Sequence, residues 1–206
     1  PLMALFYLGG ELVVVLVHAS AVPAAFAAIF RGAFGLAPAG GGVLGCGVAR
    51  AVTWGFKRGA FSNEAGLGAS VMVHSSSNVT EPVQQGMWGL FEVFADTLVV
   101  CTLTALVILT SGLVDLETGR AAAGIVGSAL VGEAFSTVFG SFGPKFIAVS
   151  ILLFAYSTVL GWSQYGTKAV SYLLGPRAGG AYQALFVGIM VVGAVMKLDL
   201  AWDLSD

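Results

Sequence analysis

The chain has 206 residues, of which 57% are hydrophobic and only 10% charged, with a formal net charge of -2 and a mean hydropathy of +0.92. Soluble domains carry about 25% charged residues, so this composition describes an integral membrane protein, and the lack of any basic run argues against a nucleic-acid partner. Cys46 and Cys101 both fall in apolar segments without metal-ligand spacing or a disulfide framework, and they read as small packing residues.

The chain opens on Pro1 with no basic n-region or cleavage site and stops at Leu204-Ser-Asp206, which reads as an internal piece of a longer protein. Leu2 to Val17 is apolar except for Glu11, and residues 2–18 are expected to form a truncated spanning helix, since about 20 apolar residues cross a bilayer. Glu11 would sit well inside it and must face protein or water; a helix-packing hydrogen bond is the simpler role, coupling-ion ligand the alternative. His18 reads as a solvated end residue, and Pro23 to Phe34 as a surface-lying or short re-entrant helix.

After the flexible turn Ala37-Pro-Ala-Gly-Gly-Gly42, residues 43–73 are long enough to span the membrane with a break inside. The break is expected at Arg58-Gly-Ala-Phe-Ser-Asn-Glu-Ala-Gly-Leu-Gly-Ala-Ser70. Gly59, Gly66 and Gly68 each lower helix propensity by roughly 1 kcal/mol relative to alanine, and Ser62, Asn63 and Glu64 compete with the helix ladder for hydrogen bonds. Non-helical backbone at that depth survives only where it lines a cavity or is covered by protein. Such a break exposes amides on one side and carbonyls on the other, which are sites for a carboxylate, an ammonium or a cation; the plainer alternative is a glycine turn just outside the bilayer. Arg50, Trp54, Lys57 and Phe61 share one helical face. Lys57 and Arg58 stand close enough to pair with Glu64, whereas Arg50 reads as snorkelling to an interface. His74-Ser-Ser-Ser-Asn-Val-Thr-Glu-Pro82 is polar and must leave the membrane.

Residues 87–109 form the next expected span, with Thr97, Cys101, Thr104 and Ile108 on one face and Asp96 on its border. Small hydroxyl residues are common glue between membrane helices, but Asp96 calls for a function. Residues 115–143 mix charges, Glu133 among them, with glycine and are expected to be an extramembrane helical hairpin or lid. A span over 145–166 comes next, in which Phe154, Ser157, Thr158, Gly161, Trp162 and Tyr165 make a narrow stripe facing protein. Gly166 to Gly180 reads as an amphipathic connection, and 181–196 as the last of five spans. Loop charges are too balanced to fix an orientation.

Three motifs in register resemble a known family. Gly-Phe-Lys-Arg-Gly-Ala-Phe-Ser-Asn-Glu-Ala-Gly-Leu-Gly at 55–68, Pro82 to Gly86 with Phe94-Ala-Asp-Thr-Leu-Val-Val-Cys-Thr-Leu-Thr-Ala105, and Phe154-Ala-Tyr-Ser-Thr-Val-Leu-Gly-Trp162 with Tyr165-Gly166 are similar to the alanine or glycine:cation symporters. The resemblance runs from about residue 40 to the C-terminus. It implies an all-α polytopic membrane protein with part of the inverted-repeat fold of the bacterial leucine transporter, roughly core helices five to nine. It also implies sodium-coupled symport of small neutral amino acids such as alanine or glycine across a bacterial or archaeal cell (inner) membrane, with no organic cofactor. The first and tenth core helices would then lie outside these residues, so the piece alone should not transport and depends on N-terminal helices of the same chain and on the lipid bilayer. Gly68-Ala-Ser70 and Ser75-Ser-Ser77 depart from the family's usual Gly-Ser-Ala-Pro and alanine-rich run.

On this reading the carbonyls at the end of the first half-helix, Ala60 to Ser62, hold the substrate ammonium, since a helix C-terminus carries roughly half a negative charge. Phe61 closes over a small side chain, Asn63 orients substrate or break, and Gly66 lies in the same stretch. Glu64, with Lys57 or Arg58, ties the broken backbone together, and Asp96 is a structural or coupling residue beside it. The resemblance places sodium at Ser157 and Thr158, with Thr97 and Thr104 as fainter candidates; the alternative is that the first two bond back to the carbonyls of Leu153 and Phe154. Competing functions are another cation-coupled transporter of the same fold, a channel or scaffold, or an intramembrane hydrolase built on Ser62, Asp96 and His74, for which no Gly-x-Ser-x-Gly elbow is present.

Overall fold

The computed structural model describes residues 2–34, 68–121 and 124–196, together with Val52, Thr53, Gly55, Phe56, Gly59 and Ser62. Its regular structure is helical, with one isolated antiparallel bridge, Val114 to Ala121. In chain order come α1 (Leu2–Val17), a 3-10 turn (Ala19–Ala21), α2 (Val22–Phe34) and the single turn α3 (Val71–His74). Next are α4 (Pro82–Phe94), a π-helical turn (Ala95–Val100) and α5 (Cys101–Thr110), which together make one helix of 29 residues. After α6 (Gly127–Phe139) and a 3-10 turn (Gly140–Phe142) come α7 (Gly143–Leu174) and α8 (Pro176–Val195). Among the described residues, 82–110, 127–174 and 176–195 are long and apolar enough to cross a membrane; α1 and the helix after it, bent by 76° at His18, make a fourth candidate as a broken span or re-entrant loop.

Two compact units can be distinguished, Pro1–Asn63 with Leu90–Ala155 and Glu64–Gly89 with Tyr156–Asp206. The first has a core of Val14, Val107, Ala134, Phe135, Phe146 and Ile147, contributed by α1, α5, α6 and α7. Phe135 is fully buried and stacks on Phe146 at 5.1 Å and on Phe139 at 6.0 Å. Two glycines let these helices approach. A methyl on Gly10 would run into the Phe146 ring, and one on Gly143 would stand 2.5 Å from the Ser136 nitrogen and 2.8 Å from the Phe135 carbonyl carbon. Small residues at such crossings are what membrane helices use where lipid gives apolar side chains no reason to avoid it.

The segment expected as a lid, 115–143, therefore holds a helix whose Ala134 and Phe135 are core residues of the first unit. Its entry is a polar turn. The Asp115 carboxylate accepts from the Thr118 hydroxyl at 2.6 Å and from the Glu117 N–H at 2.9 Å, and these two donors hold its carboxyl below the usual carboxylate range.

In the second unit Gly166 to Gly180, expected as an amphipathic connection, is helical except at one residue. α7 continues past Gly166 to Leu174, and the chain turns only at Gly175, whose φ of 91° and ψ of 166° are open to glycine alone. Pro176 then opens α8, where its missing N–H costs nothing. The helix runs on because α8 seals it: a methyl on Gly166 would overlap the Tyr182 phenol, and one on Gly179 would stand 2.5 Å from the Ser171 hydroxyl. What charge composition reads as an amphipathic connection is the place where a glycine seam lets two helices pack.

Candidate functional site

Among the described residues of the first unit, two clusters join polar side chains of different segments. Glu11 on α1 is fully buried, and its Oε1 accepts a short hydrogen bond from the Thr104 hydroxyl of α5. Tyr7, one turn before Glu11, has its hydroxyl 3.3 Å from Thr104 Oγ1. Since the threonine's hydrogen is given to the carboxylate, Tyr7 is the donor of that pair. The Tyr7 ring is walled by Phe135, stacked at 6.4 Å, and by Phe154, edge-on at 5.5 Å. Glu11 Oε2 is buried without a hydrogen-bond partner among the described residues.

The second cluster joins the stretch expected to be broken to the next long helix. Ser62 Oγ donates to Asp96 Oδ2 at 2.6 Å, and Cys101 Sγ lies 3.7 Å from the same hydroxyl. Asp96 sits in the π-helical turn, where the Cys101 N–H reaches back to the Asp96 carbonyl. A π turn inserts an extra residue and rotates the side chains beyond it to a new face, and such bulges are frequent at functional sites. Nothing in the sequence marks it: Ala95 to Val100 is as compatible with an α-helix. Thr97 is exposed on this turn.

The second unit carries a different set. Gln85 Nε2 donates to His74 Nδ1 at 2.6 Å, and the two side chains border a recess of about 420 Å³ shared with Ser70, Ser77 and Pro82. The Lys168 ammonium donates to the Met72 carbonyl at 3.2 Å and to the Ser76 hydroxyl, fastening the end of α3 to α7. Ser157 and Thr158 lie on α7 and are exposed.

The structure thus brings Ser62 to Asp96 and Thr104 to Glu11, a pairing that sequence reasoning missed although it singled out both partners. The hydrolase alternative fails on geometry, because a triad needs an imidazole between serine and carboxylate, whereas Asp96 takes the Ser62 hydrogen directly and His74 is engaged by Gln85. Lys57, Arg58, Ala60, Phe61, Asn63, Glu64 and Gly66 lie outside the described residues.

Long apolar helices with ionisable groups set inside them belong to a multi-pass membrane protein, and polar groups at that depth are kept for transport, coupling or packing. A sequence profile of the sodium:alanine symporter family matches residues 1–206, and the chain belongs to that family. It is 35% identical over 206 residues to the Sodium/alanine symporter AgcS of Methanococcus maripaludis, covering 100% of this chain and 44% of that protein. It is 34% identical to the Probable sodium/glutamine symporter GlnT of Bacillus subtilis, over 99% of this chain and 41% of the relative. The Sodium/proton-dependent alanine carrier protein of Bacillus sp. strain PS3 is 32% identical over 100% of this chain and 48% of its own length. The chain spans less than half the length of these relatives. These relatives are named as symporters or carriers, and membership of that family makes the chain part of a transporter and not of an enzyme.

Proposed function

We propose that these residues form part of a sodium-coupled symporter of small neutral amino acids, built on the leucine-transporter type of inverted repeat, with 43–73 as its broken sixth core helix and 87–109 as its seventh. The observation that carries the reading is family membership over the whole chain, 1–206, joined to the Ser62–Asp96 bond at 2.6 Å, which ties the glycine-rich stretch to a π-bulged helix. In this arrangement substrate lies at the break. The carbonyls of Ala60 to Ser62 take the ammonium, Phe61 and Asn63 border the side chain and the break, Gly66 lets the backbone approach, and Glu64 holds Lys57 or Arg58. By themselves residues 1–206 should be inactive, because the first core helix of that fold supplies about half of the contacts.

The relatives' names specify alanine in two cases and glutamine in another, so the family supports the class of substrate more than a single amino acid. Sodium is assigned to the neutral oxygens of Ser157 and Thr158, which suit a hard cation. Thr97 is a lesser candidate, and Thr104 a fainter one still, its hydroxyl being bonded to Glu11. The test uses the full-length protein in liposomes, with labelled alanine outside and an inward sodium gradient. Uptake should collapse when potassium replaces sodium. Ser157→Ala combined with Thr158→Val should raise the sodium concentration for half-maximal uptake by roughly tenfold, the effect of about 1.4 kcal/mol of lost binding. Unchanged sodium dependence in that double variant would remove the pair from the ion site.

A further inference from the structure

Lys168 on α7 takes no part in the symport reading. Its half-buried side chain reaches the segment that follows the glycine stretch, where Gly68, at a φ of 74°, precedes the single turn α3. The end of that turn leaves one carbonyl over. The Ser75 N–H goes to the Val71 carbonyl at 2.9 Å and the Ser76 N–H to the Val73 carbonyl at 2.9 Å. The last carbonyls of a helix have no partner within it, and that of Met72 takes side-chain donors instead, the Ser75 hydroxyl at 3.0 Å and the Lys168 ammonium at 3.2 Å. The same ammonium donates to the Ser76 hydroxyl. Three donors on a four-carbon stem are what holding a carbonyl and a hydroxyl at once requires. Within two residues of Lys168, α7 is itself fixed to α8, since a methyl on Gly166 would overlap the Tyr182 phenol. Lys168 also lies 3, 7 and 11 residues beyond Tyr165, Gly161 and Ser157, so it ends the stripe to which those residues belong. The α3 segment and this part of α7 fall in one compact unit.

We propose that Lys168 is a positioning residue of the symport cycle. Its ammonium clamps the segment that follows the glycine stretch onto α7, so that the two move as one body and sodium held on α7 steadies the stretch that takes the amino acid. The inference rests on the symport reading, which assigns sodium to Ser157 and Thr158 of α7 and the amino acid to the glycine stretch. Two ligands are coupled only through an element whose position both of them bias. The coupling is reciprocal, so a joint between their carriers lets each raise the other's affinity by the same factor. Lys168 is that joint, seated on a helix end that needs a donor and on a helix that α8 holds in place.

Uptake by the full-length protein in liposomes, measured over a range of alanine concentrations at low and at saturating sodium, gives the factor by which sodium lowers the alanine KM. Lys168→Met keeps the length of the stem and removes every donor, and it should bring that factor down toward one. Lys168→Arg, which keeps charge and donors, should recover most of it. A merely structural lysine would lower the maximal rate through lost protein and leave the factor at its wild-type value, and that result overturns the proposal. The clamp itself is read without transport, from the distance between nitroxides on Asn78→Cys and Tyr172→Cys, both exposed positions, in a full-length background freed of other cysteines. Lys168→Met should lengthen or broaden that distance and Lys168→Arg restore it; an unchanged distribution overturns the proposal, whatever uptake does. Where Lys168→Met fails to assemble, Ser76→Ala, which removes one of the two acceptors, should move the factor and the distance the same way by a smaller amount. No movement in either overturns it equally. A wild-type factor of one, with the nitroxide distance still responding to Lys168→Met, counts against the symport reading and not against the clamp.

Discussion

Ser62 and Asp96 are 34 positions apart, and the 2.6 Å bond between them is the contact most exposed to a direct test. A hydroxyl donating to an ionised carboxylate is worth more than a neutral pair, but the bond is exposed in this chain, so roughly 1 kcal/mol of coupling is the reasonable scale. A double-mutant cycle with Ser62→Ala and Asp96→Asn, read by thermal unfolding of the full-length protein, should return a coupling of about that size. Additive effects would mean that the two side chains do not depend on each other. Both residues stand out in the sequence as polar groups within apolar segments. Their partnership does not, because a residue's type tells what bonds it can make and the fold decides with whom.

At the scale of elements the glycines separate what the sequence announces from what it conceals. Gly175 is a clear case: at φ 91° and ψ 166° a methyl group is strained whatever space surrounds it. Gly175→Ala should destabilise the protein by on the order of 1–3 kcal/mol, seen as a lower melting temperature at unchanged helix content. A melting temperature equal to wild type would show that the α7–α8 corner adopts another backbone. Reading 166–180 as a long connection gives weight to Lys168, Pro176 and Arg177 as polar residues. Pro176 instead starts a helix, and Lys168 spends its charge on the Met72 carbonyl and the Ser76 hydroxyl. The π turn at Ala95–Val100 is equally hidden, since one extra residue in a helical turn alters no composition and no apolar face long enough to detect.

For the whole molecule, binding and stability are linked, because a ligand that binds only the folded state stabilises it by about 2.7 kcal/mol at a hundred times its dissociation constant. On the proposed symport reading, sodium and alanine together should raise the melting temperature of the full-length protein more than the sum of their separate effects. That excess should vanish in the Ser157→Ala, Thr158→Val variant while the response to alanine alone persists. An equal shift with potassium would separate the stabilisation from the coupling ion.

Membrane placement, the helical class and the family come from the amino-acid sequence alone, because 57% hydrophobic residues in long runs admit few structures in lipid and three motifs in register are specific. The core of the first unit is less legible. In a chain apolar on nearly every face, periodicity does not tell a lipid-facing phenylalanine from Phe135, which is fully buried between α1 and α7. Glu11 can be recognised as needing a partner, since a carboxyl at that depth is never left to lipid. Only the tertiary structure decided that the partner is the Thr104 hydroxyl, leaving Oε2 without a partner among the described residues, because that choice depends on how α1 crosses α5, a register that no local pattern of residues encodes.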